Sequence, residues 1–272
     1  MDEITSEMQA LKTRLKATWE AGDYGHFAKA MEPGAHEFLA RLNIKPNDRV
    51  LDVACGAGQT AIPLARAGAQ VVGIDIAANL VDQARAAARA ANVTAQFDEG
   101  DAEAMPYPSQ SFDAVITLIG AMFAPRPDRV ASELVRVCSP GGRVIMANWT
   151  AEGFVGLLFK TMAKHVLPPA LMPSPLLWGN EEVVRQRFKE HASAIEFSKQ
   201  SYPFFYPFSP GEVVEYFRAY YGPTNRAFAT LDTEAQARLR ADLTELWSNH
   251  NSGSAGTTQY TAEYLQVTVR PK

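Results

Sequence analysis

Short β-rich runs alternate with helical patterns between residues 49 and 149 of the chain. Strands that alternate with segments long enough for a crossover helix are typical of βαβ units in a parallel sheet. Right-handed crossovers place the helices on both faces of such a sheet. The alternation therefore predicts an α/β fold with a doubly wound, mostly parallel sheet. The predicted strands are 49–53, 70–75, 94–98, 112–117 and 142–149, and the predicted helices between them are 59–67, 77–91 and 128–137.

The segments on either side of this alternation follow a different pattern. A helix is predicted over 3–19, because Met8, Leu11 and Leu15 have helical spacing. Residues 152–190 indicate helical pieces with a proline-rich middle. The remaining predicted elements are a strand at 194–204, amphipathic helices at 211–221 and 233–249, and an alternating final strand at 262–270.

Composition and charge exclude several classes of protein. The chain carries 26 basic and 30 acidic side chains without a long run of like charge, so nucleic acid is not an expected partner. Cys55 and Cys138 are too few for a disulfide framework, which favours a reducing compartment. The amino terminus is polar and acidic, unlike a secretory signal, and lysines and prolines interrupt the most apolar stretch, 154–178. A cytoplasmic protein without an integral membrane segment is expected.

The loop VLDVACGAGQTA, residues 50–61, follows the first predicted strand. Gly56, Gly58 and Ala61 fit the glycine pattern that holds a pyrophosphate at a helix N-terminus, but this match alone is weak. Asp52 lies inside the strand, where a dinucleotide-binding unit is usually apolar. Asp75 ends the second strand and is suited to hydrogen bonding with both hydroxyls of a ribose. The pattern therefore indicates a nucleoside ligand.

Four phrases in this order resemble the motifs of class I S-adenosylmethionine-dependent methyltransferases. They are LDVACGAG, VVGIDIAANLVDQAR, GDAEAMPYPSQSFDAV and ELVRVCSPGGRVIMANW. The resemblance is to the group with a type 11 methyltransferase domain, which includes the ubiquinone and menaquinone biosynthesis methyltransferases, and it is strong over residues 48–149. It implies S-adenosyl-L-methionine as the cofactor. It also implies seven strands in the order 3-2-1-4-5-7-6, with the last strand antiparallel and paired with the strand at 194–204.

A single methyltransferase domain is expected over residues 1–272, because the sequence contains no linker that would separate two independent domains. Its expected parts are an amino-terminal helical cap at 1–45, a cofactor-binding core at 46–150, helical lid insertions at 151–192 and 209–258, and closing strands at 193–205 and 260–271.

The roles of individual residues follow from the same resemblance. Asp52 is expected to order the loop and reach toward the cofactor's ammonium group, and Asp75 to hold the ribose hydroxyls. The other expected cofactor-binding residues are Ala54, Gly56 and Gly58 under the methionyl part, Ile76 on the adenine, Asp101 and the Ala102 amide at the adenine edge, and the Leu118 backbone. Ala54 replaces the first glycine of the motif, a mild change if its φ is negative.

The acceptor is expected to be a small, fairly hydrophobic molecule methylated on oxygen, carbon or sulfur. The segment TLIGAMFAP after the fourth strand lacks the Asn/Asp-Pro-Pro-aromatic motif of many amino-group methyltransferases, and Met122 stands where many relatives carry histidine. The sequence therefore identifies no catalytic base and no metal site, and it leaves the oligomeric state open. An NAD(P)-binding oxidoreductase and a non-catalytic S-adenosylmethionine-binding protein remain alternatives.

An apolar acceptor pocket needs walls beyond the sheet. The expected walls are the stretch 19–27, the run 154–178 with its proline-rich part as a movable lid, and the two helices between the last two strands. The expected lining side chains are Phe123, Trp149, Phe154, Trp178, Phe205 and Tyr220, with Tyr24, His26 and His165 as polar partners.

Overall fold

A computed structural model describes residues 4–272 of the chain. One seven-stranded sheet has the order β3-β2-β1-β4-β5-β7-β6. The final strand, β7, is antiparallel to both of its neighbours, and the other pairs are parallel. The predicted fold class, strand order and closing pair are thereby confirmed. The strands are β1 (Arg49–Val53), β2 (Gln70–Asp75), β3 (Gln96–Glu99), β4 (Phe112–Leu118), β5 (Cys138–Trp149), β6 (Ala192–Tyr206) and β7 (Thr258–Pro271).

Helices cover both faces of the parallel part of the sheet. Strand β1 is buried after its first residue, as expected of a central strand with helices on both sides. The α6 helix buries Val130, Ala131, Leu134 and Val137, a helical stripe that faces this core. The helices are α1 (Ser6–Trp19), α2 (Tyr24–Ala28), α3 (Glu32–Arg41), α4 (Ala61–Arg66), α5 (Ala78–Ala90), α6 (Pro127–Val137), α7 (Phe154–Ala163), α8 (Glu181–Phe188), α9 (Pro210–Tyr220), α10 (Gly222–Ala229) and α11 (Thr233–His250).

Several boundaries differ from the sequence-based predictions. The first helix begins at Ser6, and the predicted residue 3 lies outside the described residues. The α10 helix was not predicted, because GPT at its start resembles a turn rather than a helix N-terminus with proline in the first turn. The fifth strand begins at Cys138 rather than at the predicted residue 142, and residues 139–142 form an irregularity inside it, since Phe112 pairs with Cys138 and Ala114 pairs with Arg143.

The helices outside the sheet layers form a cap. Helix α1 packs against α10, α2 packs against α9, and α11 packs against α7 and α9. Over residues 4–272, none of the helices combines the length and the apolar character that a membrane span requires. The contacts within the cap bring the amino-terminal helices α1 and α2 against helices that lie between β6 and β7 in the chain. Residues of both groups line one cavity.

Candidate active site

A cavity lies at the carboxyl ends of the parallel strands. Its walls include Gly56 after β1, Asp75 at the end of β2, Asp101 after β3, Leu118 at the end of β4 and Trp149 at the end of β5. Open α/β sheets bind ligands at this edge. The volume is about 150 Å³, against roughly 10–15 Å³ for one water molecule, so the cavity has room for an organic ligand.

Asp75 anchors the glycine loop at the centre of this edge. Its Oδ2 accepts a hydrogen bond from the Gly56 backbone N at 2.8 Å, and its Oδ1 accepts one from the Ala77 backbone N at 2.9 Å. Burial raises the pKa of this carboxyl group, and the backbone donors oppose the rise. An ionised carboxylate has about four lone-pair sites, so two remain for the hydroxyls of a ligand.

Two residues at the ends of β1 and β4 adopt the left-handed backbone conformation. Ala54 has φ +57°, so the condition under which its replacement of the motif glycine would be mild is not met. Ile119 has φ +69°, although a β-branched side chain disfavours this region. A Cβ atom on Gly120 would overlap the Ala54 side chain, so the two chain segments touch here. Strain of this kind concentrates at functional sites, and both residues line the cavity.

Asp52 and Gly58 are the two expected cofactor-binding residues that do not line the cavity. Asp52 is 1% exposed and accepts a hydrogen bond from the Thr60 hydroxyl. Burial raises its pKa to about 7, and the nearby Asp75 charge adds to the rise. Gly58, with φ +91°, shapes the turn behind the wall. Asp52 can therefore act on a ligand only through the loop or at longer range.

Three further expected residues follow β2 and β3 and line the cavity, namely Ile76, Asp101 and Ala102. Asp101 forms an ion pair with Lys12 of α1 and accepts a hydrogen bond from the Glu103 backbone N at 2.9 Å. Lys12 was not identified from the sequence, because a lysine on an amino-terminal helix usually belongs to a solvated face. We call this polar part of the cavity the cofactor end; it is lined by Lys12, Ala54, Gly56, Asp75, Ile76, Asp101, Ala102 and Leu118.

Aromatic rings from several cap elements line the other part of the cavity. Trp19 lies 5.0 Å from Phe123 and 6.0 Å from Tyr221 between ring centroids, and Phe27 lies 4.8 Å from Phe217. Among the described residues, the charged side chains that line the cavity are Lys12, Asp75 and Asp101, all at the cofactor end. The aromatic end is defined by Trp19, Tyr24, Phe27, Phe123, Phe217 and Tyr221.

The expected walls of the acceptor pocket are present in part. The stretch 19–27, the start of α7 and the α9–α10 region line the cavity, together with the expected side chains Phe123, Trp149, Phe154 and Tyr24. The proline-rich part of 154–178 does not line it: Leu167 is 86% exposed and lies on the surface. The expectation that the proline-rich part of this run forms a wall of the cavity is therefore wrong.

Five other expected lining residues also lie elsewhere. Trp178 is buried beneath the Arg187 guanidinium group, and Phe205 is 58% exposed. His165 binds the Asp242 carboxylate at 2.8 Å, and the His26 ring packs on Tyr220 at 4.3 Å. The alternation of side chains between the two faces of a strand could have predicted that Phe205 is exposed, because its neighbours Phe204 and Tyr206 face the core.

Comparisons with known proteins agree with this architecture. A family model described as a methyltransferase domain matches residues 51–146. An uncharacterized protein of Mycobacterium tuberculosis is 38% identical over 270 residues, which cover 98% of this chain and 97% of that protein. A demethylmenaquinone methyltransferase of Deinococcus radiodurans is 40% identical over 124 residues, which cover 44% of this chain and 52% of that enzyme.

Solved structures show the same fold. The YcgJ protein of Bacillus subtilis superimposes with a TM-score of 0.60 at 17% identity, over 88% of this chain and 98% of that chain. The matched family region begins inside β1 and ends inside β5, so it contains the strand ends that build the cofactor end. Of the six rings of the aromatic end, Phe123 lies inside this region, and the other five come from the cap and lie outside it.

Proposed function

Because the chain belongs to the class I S-adenosylmethionine-dependent methyltransferases, we propose that it methylates a small, fairly hydrophobic acceptor on an oxygen, carbon or sulfur atom. The observation that carries this proposal is the division of one cavity into a polar cofactor end and an uncharged aromatic end. The formal charge of −4, without a basic run, favours a small molecule over a nucleic acid as the acceptor.

The residues at the cofactor end fit S-adenosylmethionine. Asp75 has free acceptor sites for the ribose hydroxyls, and Asp101 has them for the adenine amino group. Within residues 4–272, neither Asp52 nor Asp75 forms an ion pair with a basic side chain, and the ammonium group of the cofactor would supply an opposite charge, at longer range from Asp52 than from Asp75. The residues proposed to hold the cofactor are Asp52, Ala54, Gly56, Gly58, Asp75, Ile76, Asp101, Ala102 and Leu118.

The bound cofactor supplies an activated methyl group, so the protein has to align the acceptor and exclude water. Rings of the aromatic end bind the acceptor by apolar contact. Burial raises the pKa of the Tyr24 and Tyr221 hydroxyl groups above the usual tyrosine range. These hydroxyls therefore stay protonated at neutral pH and can donate a hydrogen bond to an acceptor oxygen, but they cannot remove its proton.

Methyl transfer from radiolabelled S-adenosylmethionine to fractions of an apolar metabolite extract tests the proposal. We expect label in an organic-soluble product, and calorimetry should show binding of S-adenosylhomocysteine. Binding of NAD with no binding of S-adenosylhomocysteine would support the oxidoreductase alternative. Binding of S-adenosylhomocysteine without labelled product in any fraction would support a non-catalytic binding protein.

A further inference from the structure

Lys12 is buried to an extent that is unusual for a lysine. Its residue exposure is 6%, and lysine is almost never fully buried unless it is paired. The ammonium group forms an ion pair with Asp101 and donates to Glu103 Oε2 at 2.6 Å. Lys12 also lines the cavity beside Asp101. The residue therefore connects α1 to the adenine end of the proposed cofactor site.

Glu103 holds the Lys12 ammonium group but does not itself line the cavity. The Glu103 side chain is 0% exposed, and Oε2 accepts a hydrogen bond from Arg126 Nε at 2.7 Å. Its Oε1 accepts one from the Arg126 backbone N at 2.8 Å. Because these bonds fix the Glu103 carboxylate, the position of the Lys12 ammonium group does not depend on an occupied cavity.

Asp101 is restrained by two donors at once. Its Oδ1 accepts from the Glu103 backbone N, and its Oδ2 contacts the Lys12 ammonium group. The side chain remains 30% exposed at the cavity wall. Two of about four lone-pair sites are used, so the carboxylate can accept further hydrogen bonds in an orientation that the protein has already set.

We propose that Lys12 is a positioning residue that fixes the Asp101 carboxylate as a hydrogen-bond acceptor and thereby sets the preference of the site for a 6-aminopurine. A 6-amino group donates to the fixed carboxylate, whereas a 6-oxo group faces it with another acceptor. Without Lys12, the carboxylate can turn away from the purine edge. This inference rests on the proposed function, because it assumes that the adenine lies at Asp101.

Calorimetry with S-adenosylhomocysteine and its 6-oxo analogue, S-inosylhomocysteine, tests this role. We expect the wild-type protein to prefer the amino compound by roughly tenfold or more. Lys12→Met should reduce this ratio to about threefold or less, mainly by weakening the amino compound. Lys16→Met is the matched control, since Lys16 lies one helical turn away and its partner Glu99 is about half exposed. The control should keep the wild-type ratio.

Loss of the buried ion pair could also destabilise the chain, so thermal melting accompanies each titration. Lys12→Gln is the second variant, because it removes the charge but keeps a donor for Glu103; it should also lower the ratio. A folded Lys12 variant with the wild-type ratio would overturn the inference and leave Lys12 a purely structural residue. If the wild-type protein binds neither compound, the proposed function itself fails.

Discussion

The two ends of the cavity are built in different ways. The cofactor end consists of short acids, glycines and backbone groups at successive strand ends between residues 54 and 120, together with Lys12 from α1. Large rings form the aromatic end, from α1 and α2 at one end of the sequence to α9 and the α9–α10 junction near the other. One end thus depends on the backbone of the sheet, and the other depends on how the cap packs.

This difference predicts that the cofactor end determines cofactor binding and that the aromatic end determines which acceptor is bound. Backbone and carboxylate contacts at strand ends can stay the same in proteins that share a cofactor, because the sheet fixes them. A wall of side chains from a cap can change with the acceptor while the sheet stays unchanged. Substitutions at the cofactor end should therefore alter cofactor affinity, and substitutions at the aromatic end should alter acceptor use.

The largest expected effect is at Asp75. Asp75→Ala removes the acceptor for the Gly56 and Ala77 N–H groups and for the ribose hydroxyls. We expect S-adenosylhomocysteine binding to weaken by about 1.5–3 kcal/mol, or roughly 10- to 150-fold, by calorimetry. Asp82→Ala, at a 74% exposed aspartate on α5, is the control and should leave the affinity unchanged. An Asp75→Ala protein that folds and binds with wild-type affinity would remove the ribose assignment.

The second prediction uses the raised pKa of Asp52. If the ligand's ammonium group interacts with ionised Asp52, binding should release a proton from this group, whose pKa is about 7 in the folded chain. We expect affinity for S-adenosylhomocysteine to rise by up to about tenfold from about pH 6 to pH 8. Asp52→Asn should flatten this dependence. A steep profile retained in Asp52→Asn would place the titrating group elsewhere.

The raised pKa of Asp52 also predicts how the stability of the ligand-free protein depends on pH. The folded pKa of about 7 exceeds the ordinary value of 3.8, so the native state binds a proton that the unfolded state lacks between these values. Stability from this group is therefore lost as the pH rises through that window. Thermal melting without ligand should show a higher midpoint near pH 5.5 than near pH 7.5, about a few degrees at most, and a smaller difference in Asp52→Asn.

The sequence predicted the strand-end residues of the cavity one by one, but of the six rings of the aromatic end it named only Tyr24 and Phe123 and gave the others only as segments, for a physical reason. Asp52 and Asp75 lie in or at the end of short apolar runs, so local pattern predicts their place at the strand ends. Tyr24 and Tyr221 come into contact only because α2 packs against α9, and no local sequence pattern predicts a contact between residues almost 200 positions apart. The positive φ of Ala54 likewise accompanies a close contact with Gly120, which follows another strand, so the loop sequence alone does not predict it.

A smaller effect is expected at Phe217 in the aromatic end. Phe217→Leu keeps an apolar side chain but removes ring contacts with Phe27 and Trp247, both at 4.8 Å between centroids. We expect KM for the acceptor to rise by about 3- to 10-fold, with S-adenosylhomocysteine affinity within about twofold. Phe188→Leu is the same substitution at a fully buried ring that does not line the cavity, and it should lower only stability. If Phe217→Leu weakened S-adenosylhomocysteine binding by as large a factor as it raised KM, the two ends of the cavity would not be separable.

The smallest expected effect is at Ala54, where the cofactor end depends on backbone conformation rather than on a side chain. Ala54→Gly relieves the positive φ of +57° but gives the unfolded chain more freedom, so the net gain in stability should be about 0.5–1 kcal/mol. Thermal melting should show a rise of about 1–2 °C. Asn92→Gly is the control at φ +52°, outside the cavity, and should gain less because asparagine tolerates this region.

The affinity of Ala54→Gly for S-adenosylhomocysteine separates two explanations of the strain. If the loop serves the ligand through its backbone alone, the variant should bind within about twofold of wild type, because the N–H bond to Asp75 comes from Gly56. If the Ala54 methyl group is a required ligand contact, the variant should be more stable yet bind several-fold more weakly. We expect unchanged affinity, since the cofactor end is proposed to bind its ligand through backbone groups and carboxylates. Weaker binding would show that the Ala54 side chain also contacts the ligand.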